Sequence, residues 1–204
     1  MKVVGLCGGS GRGKGTVAKI LSEIGFRHID TDAVYRTLTS YCSVCVRELM
    51  QEFGKDIFKD GRLDRQLLFK IVFGEDNSGE KQRTLNNITH RHIRERTEAL
   101  IEKYRAEGAS AVLVDAPLLF ESEFDKLCSS VICVVAEEKI RINRIMERDG
   151  IDFNKALLRI RTQLPDDYLI TRSDYSIENN GTEEELYEAV LTVGKNILNM
   201  KEEK

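Results

Sequence analysis

Short apolar runs rich in β-branched residues recur along the chain at positions 3–7, 26–29, 111–114, 131–135 and, more weakly, 175–177. Those at 3–7, 111–114 and 131–135 are apolar at nearly every position instead of every second one and predict strands buried on both faces, as in a parallel sheet. Between them the period changes. Val17, Ile20, Leu21 and Ile24 repeat at i, i+3, i+4 and i+7, which predicts an amphipathic helix directly after the first strand. Near the end, Thr182 with Glu185 three residues on is a capping box, followed by Leu186, Val190, Val193 and Ile197 on one helical face. The alternation predicts an α/β fold, a parallel five-stranded sheet flanked by helices. The stretch 35–108 interrupts the rhythm and reads as mostly helical, with turn signals at Asp60-Gly61 and around Asp76-Asn77-Ser78-Gly79. One unit is expected: a core of about 1–34, 109–136 and 166–204, a helical substrate-binding insert of about 35–108, and a helical lid of about 137–165.

Composition narrows the function classes. The 204 residues suffice for one well-buried domain but hardly for two, and a net charge of -3 argues against a nucleic-acid partner. No apolar stretch approaches the ~18 residues of a membrane span, and Met1 leads straight into a core strand, so no membrane association and a cytoplasmic location are expected. No obligate protein partner is inferred. Of five cysteines, Cys7 and Cys133 sit inside strand-like runs where cysteine acts as a small hydrophobe, and reduced thiols are expected throughout. Cys42 and Cys45 form a C-x-x-C without a second pair at zinc spacing, and His90 and His92 are too few for a metal centre. There is no internal repeat, and the charged tail Lys201-Glu202-Glu203-Lys204 is expected to fray.

The most informative segment follows the first strand: Gly8-Gly9-Ser10-Gly11-Arg12-Gly13-Lys14-Gly15-Thr16. Glycines let backbone N–H groups turn around phosphate oxygens, and Lys14 adds a mobile cation at a helix start whose dipole also favours anions. Strand, glycine-rich loop and helix form a phosphate-binding loop, so Gly9, Ser10, Gly11, Arg12, Gly13, Lys14, Gly15 and Thr16 are expected to bind ATP. One letter departs from G-x-x-x-x-G-K-[ST]: Gly15 lacks the usual hydroxyl, and Thr16 lies one residue late. Mg²⁺ is then expected to be held through waters ordered by carboxylates. The carboxyl ends of strands line the ligand crevice of such sheets, which makes Asp30, Asp32 and Asp115 candidates. Asp32 suits an acceptor hydroxyl, taking its proton as the new bond forms. Asp30 suits magnesium waters or backbone, although an Asp-x-Asp before a helix is equally a cap, and Asp115 suits magnesium waters.

Arg141, Arg144 and Arg148 share one helical face, while Ile142, Ile145 and Met146 form another. Such a stripe is usually a solvated face. Here Asp149-Gly150 follows, then a second helical segment with Arg159 and Arg161 that ends at Leu164-Pro165. Two arginine-bearing helices joined by a tight turn can close over a polyphosphate.

Taken together, the chain resembles the dephospho-CoA kinase family over nearly its whole length. The likeness is carried by the glycine-rich loop, Ile29-Asp30-Thr31-Asp32 with Arg36, Asn87-Ile88-Thr89-His90 with Ile93, and Ala116-Pro117-Leu118-Leu119-Phe120-Glu121. Arg144, Arg148-Asp149-Gly150, Arg159 with Gln163, and Ser173-Asp174-Tyr175-Ser176-Ile177-Glu178-Asn179-Asn180-Gly181 complete it. The resemblance implies a sheet like that of nucleoside-monophosphate kinases, a helical CoA-binding region, a mobile lid, and transfer of the ATP γ-phosphate to the ribose 3′-hydroxyl of dephospho-CoA with Mg²⁺. It implies that Asp32 is the catalytic aspartate, Arg144 and Arg148 are lid arginines acting with Lys14, and Asn179, Asn180 and Gly181 lie near the adenine. Asp32, Arg36, His90, Pro117 and Leu118 are implied at the acceptor substrate, and Asp30, Asp115 and Thr16 around the metal. The family usually has Gly-Lys-Ser-Thr where this chain has Gly13-Lys14-Gly15-Thr16, and His-Pro where it has His90-Arg91. The N-terminal part also resembles cytidylate kinase, the alternative reading, but that family has glycine at position 32, where an aspartate would repel a monophosphate. A non-enzymatic nucleotide-sensing module would keep the loop and lose the acceptor-side acid and the lid cations, both retained here.

Overall fold

The computed structural model describes residues 1–74 and 79–199. The turn signal at Asp76, Asn77 and Ser78 and the charged tail at 201–204 lie outside the described residues. In order, the elements are β1 (Lys2–Cys7), α1 (Lys14–Glu23), β2 (Phe26–Asp30), α2 (Thr31–Leu38), α3 (Val44–Phe53), β3 (Phe58–Lys59), β4 (Arg62–Leu63) and α4 (Arg65–Phe73). Then come α5 (Glu80–Ala106), β5 (Ala111–Asp115), β6 (Ser130–Val135), α6 (Glu138–Asp149), α7 (Phe153–Arg161), α8 (Asp166–Thr171), β7 (Tyr175–Glu178) and α9 (Glu183–Asn199).

The five apolar runs become one parallel five-stranded sheet in the order β2-β5-β1-β6-β7. The central strand β1 is flanked by β5, with Val4 opposite Leu113, and by β6, with Leu6 opposite Ile132. Every residue of β5 is buried, which is why the alternation of a half-exposed strand is missing from its sequence. The chain divides into two compact units, Met1–Ile29 with Ile101–Lys204, and Asp30–Leu100, where the sequence suggests an insert of 35–108.

In the first unit, Val17, Ala18, Ile20 and Leu21 of α1 and Leu186, Val190 and Ile197 of α9 pack with the sheet in one core. Gly194 of α9 permits the close approach to α1, since a Cβ there would fall 2.4 Å from Ile24 Cδ1. The predicted capping box is present: Thr182 N–H donates to Glu185 Oε2 at 2.8 Å and Glu185 N–H to Thr182 Oγ1 at 3.2 Å. Helices α6 and α7 form a hairpin with its own small core of Ile142, Ile145, Ala156 and Ile160, turning at Gly150 in the left-handed region.

The second unit is a helical cluster around Cys45, Leu49, Ile57, Leu68 and Val72. It contains an element the sequence reading missed, the hairpin β3–β4, in which Phe58 pairs with Leu63 and Lys59 with Arg62. Asp60 and Gly61 both have positive φ (50° and 76°), the geometry of a two-residue primed turn, so the Asp-Gly signal was sound. Two-residue strands are too short to show a period. All five cysteines are free thiols, and burial pushes Cys7 and Cys128 up to about 12 and Cys45 to about 11.

Replacing Thr182 by Ala removes one arm of an exposed cap and should cost about 1 kcal/mol, a fall in Tm of roughly 2–4 °C for a chain of this size. Thermal unfolding of Thr182→Ala checks this; an unchanged Tm would show that the cap contributes nothing.

Candidate active site

The loop after β1 is shaped by where its carbonyls go. Ser10 C=O accepts from Arg141 Nε at 3.2 Å, Gly11 C=O from Arg144 Nη1 at 3.3 Å, and Arg12 C=O from Asn179 Nδ2 at 2.9 Å. In a trans peptide the N–H points opposite to the C=O before it. Three carbonyls tied to outside donors therefore turn the N–H groups of Gly11, Arg12 and Gly13 the other way, where Arg12 N–H meets Gly9 C=O at 3.4 Å. Gly13, at φ +86°, enters α1 from the left-handed region, and a Cβ there would lie 2.1 Å from Asn179 Nδ2. Among the described residues no side chain caps the N-terminus of α1; Thr16 and Val17 N–H bond Gly13 C=O, which leaves the N–H groups of Lys14 and Gly15 and the helix dipole for an anion. Lys14 begins that helix.

The clamps come from distant parts of the first unit. Arg144 also donates to Asn179 C=O at 3.1 Å and to Asn179 Oδ1 at 3.2 Å, joining α6 to the segment after β7. Gln163, beyond α7, accepts at Oε1 from Ser10 N–H at 3.1 Å and from Arg141 Nη2 at 2.9 Å, and its Nε2 donates to Ser10 Oγ at 3.2 Å. The Arg12 side chain, 1 % exposed, turns from the loop to an ion pair with Asp166 at the start of α8. Beside these groups lies a cleft of 530 Å³ lined by Ala136, Glu137, Arg141, Gln163, Pro165 and Asn180, among others. Gly181 follows, in the bend before α9.

Asp115 ends β5 and is 7 % exposed. It forms an ion pair with Lys14 and a hydrogen bond with His28 Nε2 at 3.2 Å. Burial pushes its carboxyl upward, but the hydrogen bonds and charges of His28 and Lys14 outweigh it, and the carboxylate is held below its ordinary range. Pro117 and Leu118, just beyond, are exposed.

Arg148 is not brought to the loop. Its exposed guanidinium forks onto the carboxylate of the adjacent Asp149, at 2.8 and 2.9 Å, and Arg159 pairs with the same carboxylate. Those hydrogen bonds pull Asp149 down to about 2. Arg141, one turn before Arg144, holds the loop instead.

In the second unit, Asp30 is the N-cap of α2: its Oδ1 accepts from Asp32 N–H at 2.9 Å and from Ala33 N–H at 3.0 Å, and its Oδ2 accepts from Arg36 at 3.2 Å. Of the two sequence readings for Asp30, backbone ordering is the one that these bonds express. Asp32 stands exposed in the first turn, where the helix dipole favours a carboxylate. His90 is half-buried on α5, and burial lowers its pKa, favouring neutral imidazole. His92 lies 3.2 Å from Glu48.

Among the described residues no group of three or more His, Cys, Asp or Glu is placed to hold a metal ion. That donor set still suits Mg²⁺, which keeps several waters and takes one or two carboxylates plus phosphate oxygens instead of a protein cage. Asp115 supplies such a carboxylate beside Lys14, and a Cβ at Gly15 would meet nothing within 4 Å.

His28, Gln163 and Asp166 were missed by sequence reasoning as side chains that order the site. Gln163 did carry a signal, as part of the family likeness; an isolated histidine in a strand and an acid after a proline carry none.

A family model described as dephospho-CoA kinase matches residues 2–185. A dephospho-CoA kinase of Carboxydothermus hydrogenoformans is 35% identical over 194 residues, 95% of this chain and 93% of that protein. The solved dephospho-CoA kinase from Campylobacter jejuni superposes with a TM-score of 0.72 at 25% identity, covering 97% of this chain and 98% of the other. Shikimate kinase from Acinetobacter baumannii, at 15% identity and a TM-score of 0.55 over 98% of this chain and 96% of its own, shares the fold. With a phosphate-binding loop clamped at the end of a parallel sheet and a family match over nine-tenths of its length, the chain belongs to the dephospho-CoA kinase family.

Proposed function

We propose that this kinase transfers the γ-phosphoryl group of ATP to the ribose 3′-hydroxyl of dephospho-CoA, giving coenzyme A, and that it works in the cytoplasm with no protein partner. The observation that carries the donor half is the loop, whose carbonyls are tied outward and whose following helix starts without a side-chain cap. Phosphoryl transfer asks mainly for positioning and charge neutralisation. The N–H groups of the loop hold the phosphate chain, and Lys14 leaves Asp115 to follow the β- and γ-oxygens. Asp115, still bonded to His28, keeps its charge and would orient magnesium waters, with Thr16 a further oxygen partner by way of water, while Asp30 orders the turn that carries Asp32. Bound Mg²⁺ would supply positive charge to the phosphate oxygens. Arg144 stays near the loop and the adenine-side segment of Asn179 and Gly181, and Arg148 contributes charge when the α6–α7 hairpin acts as a lid. Asp32 takes the proton of the 3′-hydroxyl, with Arg36, His90, Pro117 and Leu118 at the acceptor.

Incubation with ATP, Mg²⁺ and either dephospho-CoA or CMP distinguishes the two acceptor classes, and phosphate should appear only on dephospho-CoA; transfer to CMP would favour the cytidylate-type alternative. In the same assay Asp32→Asn should lower turnover by roughly 10²–10⁴, as general-base loss does, with ATP affinity nearly intact. An Asn variant as fast as wild type would remove Asp32 from the chemistry.

Asp115→Asn should raise the Mg²⁺ concentration needed for half-maximal rate, whereas Gly15→Ser, with open space for the new side chain, should be tolerated. Titrations of rate against Mg²⁺ for both variants decide the point, and an unshifted curve for Asp115→Asn would exclude it from the metal shell.

If Arg148 leaves Asp149 for the transferring group, Arg148→Ala should cut turnover toward the ~10³-fold scale of an engaged cationic finger. As an exposed pair it is worth under ~1 kcal/mol of stability. Turnover set beside Tm separates the two, and near-normal turnover would leave Arg148 a surface residue.

A further inference from the structure

Gln163 Oε1 sits where a side-chain amide has little reason to be. It lies so close over the loop that a Cβ at Gly9 would be 2.0 Å away, and it receives two N–H donors at once, Ser10 N–H at 3.1 Å and Arg141 Nη2 at 2.9 Å. One backbone amide of a phosphate loop and one guanidinium converging on a single oxygen is the donor set a phosphate oxygen receives. The charge balance agrees. Arg12 and Arg141, 1 % and 5 % exposed, are both within 4 Å of a single shared carboxylate, Asp166, and Arg12 Nε is buried without a hydrogen-bond partner among the described residues. Two buried guanidiniums sharing a single carboxylate within ion-pair distance, with Glu138 acting on Arg141 from farther off, favour an incoming anion. Burial and the neighbouring Arg12 both disfavour Arg141's charge, while Asp166 and Glu138 favour it.

We infer that Ser10 N–H and Arg141 Nη2 form the seat of a phosphate oxygen of the donor nucleotide, and that Gln163 fills this seat with its carboxamide oxygen while the loop is empty. Arg141 is then a substrate-touching residue in its own right, beside Lys14 and Arg144. Gln163 is a placeholder that keeps Ser10 N–H and Arg141 satisfied and aimed until the nucleotide displaces it. The inference rests on the reading of this loop as the seat of the nucleotide's phosphates.

A placeholder and a ligand-holding residue respond oppositely to the same substitutions. Calorimetric titration with the non-hydrolysable ATP analogue AMPPNP should show about fivefold tighter binding for Gln163→Ala, which vacates the seat, with Gln163→Asn, whose amide is too short to reach it, moving the same way. Gln163→Glu puts a charged oxygen against Arg141 and should bind roughly tenfold more weakly. Arg141→Met should weaken binding by about 10–100-fold, and should do so equally in the Gln163→Ala background. Unfolding temperatures of all variants separate these shifts from a loss of folding, and the Asn and Glu variants keep the test standing if Ala or Met proves unstable. Weaker binding by Gln163→Ala and Gln163→Asn, or unchanged binding by Arg141→Met, overturns the seat while leaving the loop reading intact. A wild-type protein that binds no AMPPNP overturns both.

Discussion

A peptide group cannot point its carbonyl and its N–H the same way, and the donor site is built on that constraint. For the N–H groups of Gly11, Arg12 and Gly13 to face one side, the carbonyls of Ser10, Gly11 and Arg12 must face the other and find partners there. Arg141, Arg144 and Asn179 are those partners. Charged and amide donors suit the task because each can satisfy more than one acceptor: Arg144 reaches Gly11 and Asn179 together, and Arg141 reaches Ser10 and Gln163. The loop thus carries its information in glycines, which let the backbone lie close, but its rigidity is borrowed.

How much of this was legible follows from how local each signal is. The strands, the loop, the capping box and the Asp-Gly turn are each written within a dozen consecutive residues, and each stands where the chain's patterning put it. The arginine stripe was legible only in part. Spacing fixes the angle around a helix, and Arg141, Arg144 and Arg148 do share a face, but a rise of about 1.5 Å per residue places Arg148 some 10 Å along the axis from Arg141. Angle alone could not say which of them reaches the loop; the end of the helix pointing at it could, and that depends on tertiary placement. Gln163 and Asp166 meet their partners 153 and 154 residues away in sequence, and His28 meets Asp115 across 87. No local pattern encodes such pairs.

The second unit shows the reverse case. Asp30 was readable as metal ligand or as cap, since an acid at a strand–helix junction serves both. The bonds to Asp32, Ala33 and Arg36 express the cap, and they also fix the turn on which Asp32 is carried. A residue that orders its neighbour's backbone and a residue that binds a ligand draw on one chemistry, acceptance of N–H or water by a carboxylate, so residue type cannot tell them apart.

The borrowed rigidity has a consequence for how the chain comes into being. Residues 8–16 leave the ribosome among the first, yet the clamps on their carbonyls are at 141, 144 and 179. With synthesis running at about 5–20 residues per second, the loop spends the better part of translation without its clamps, its glycines unrestrained. The earliest segment to be made is therefore among the last to take its working shape, and a nascent chain short of its final strand still lacks the Asn179 clamp on Arg12 C=O.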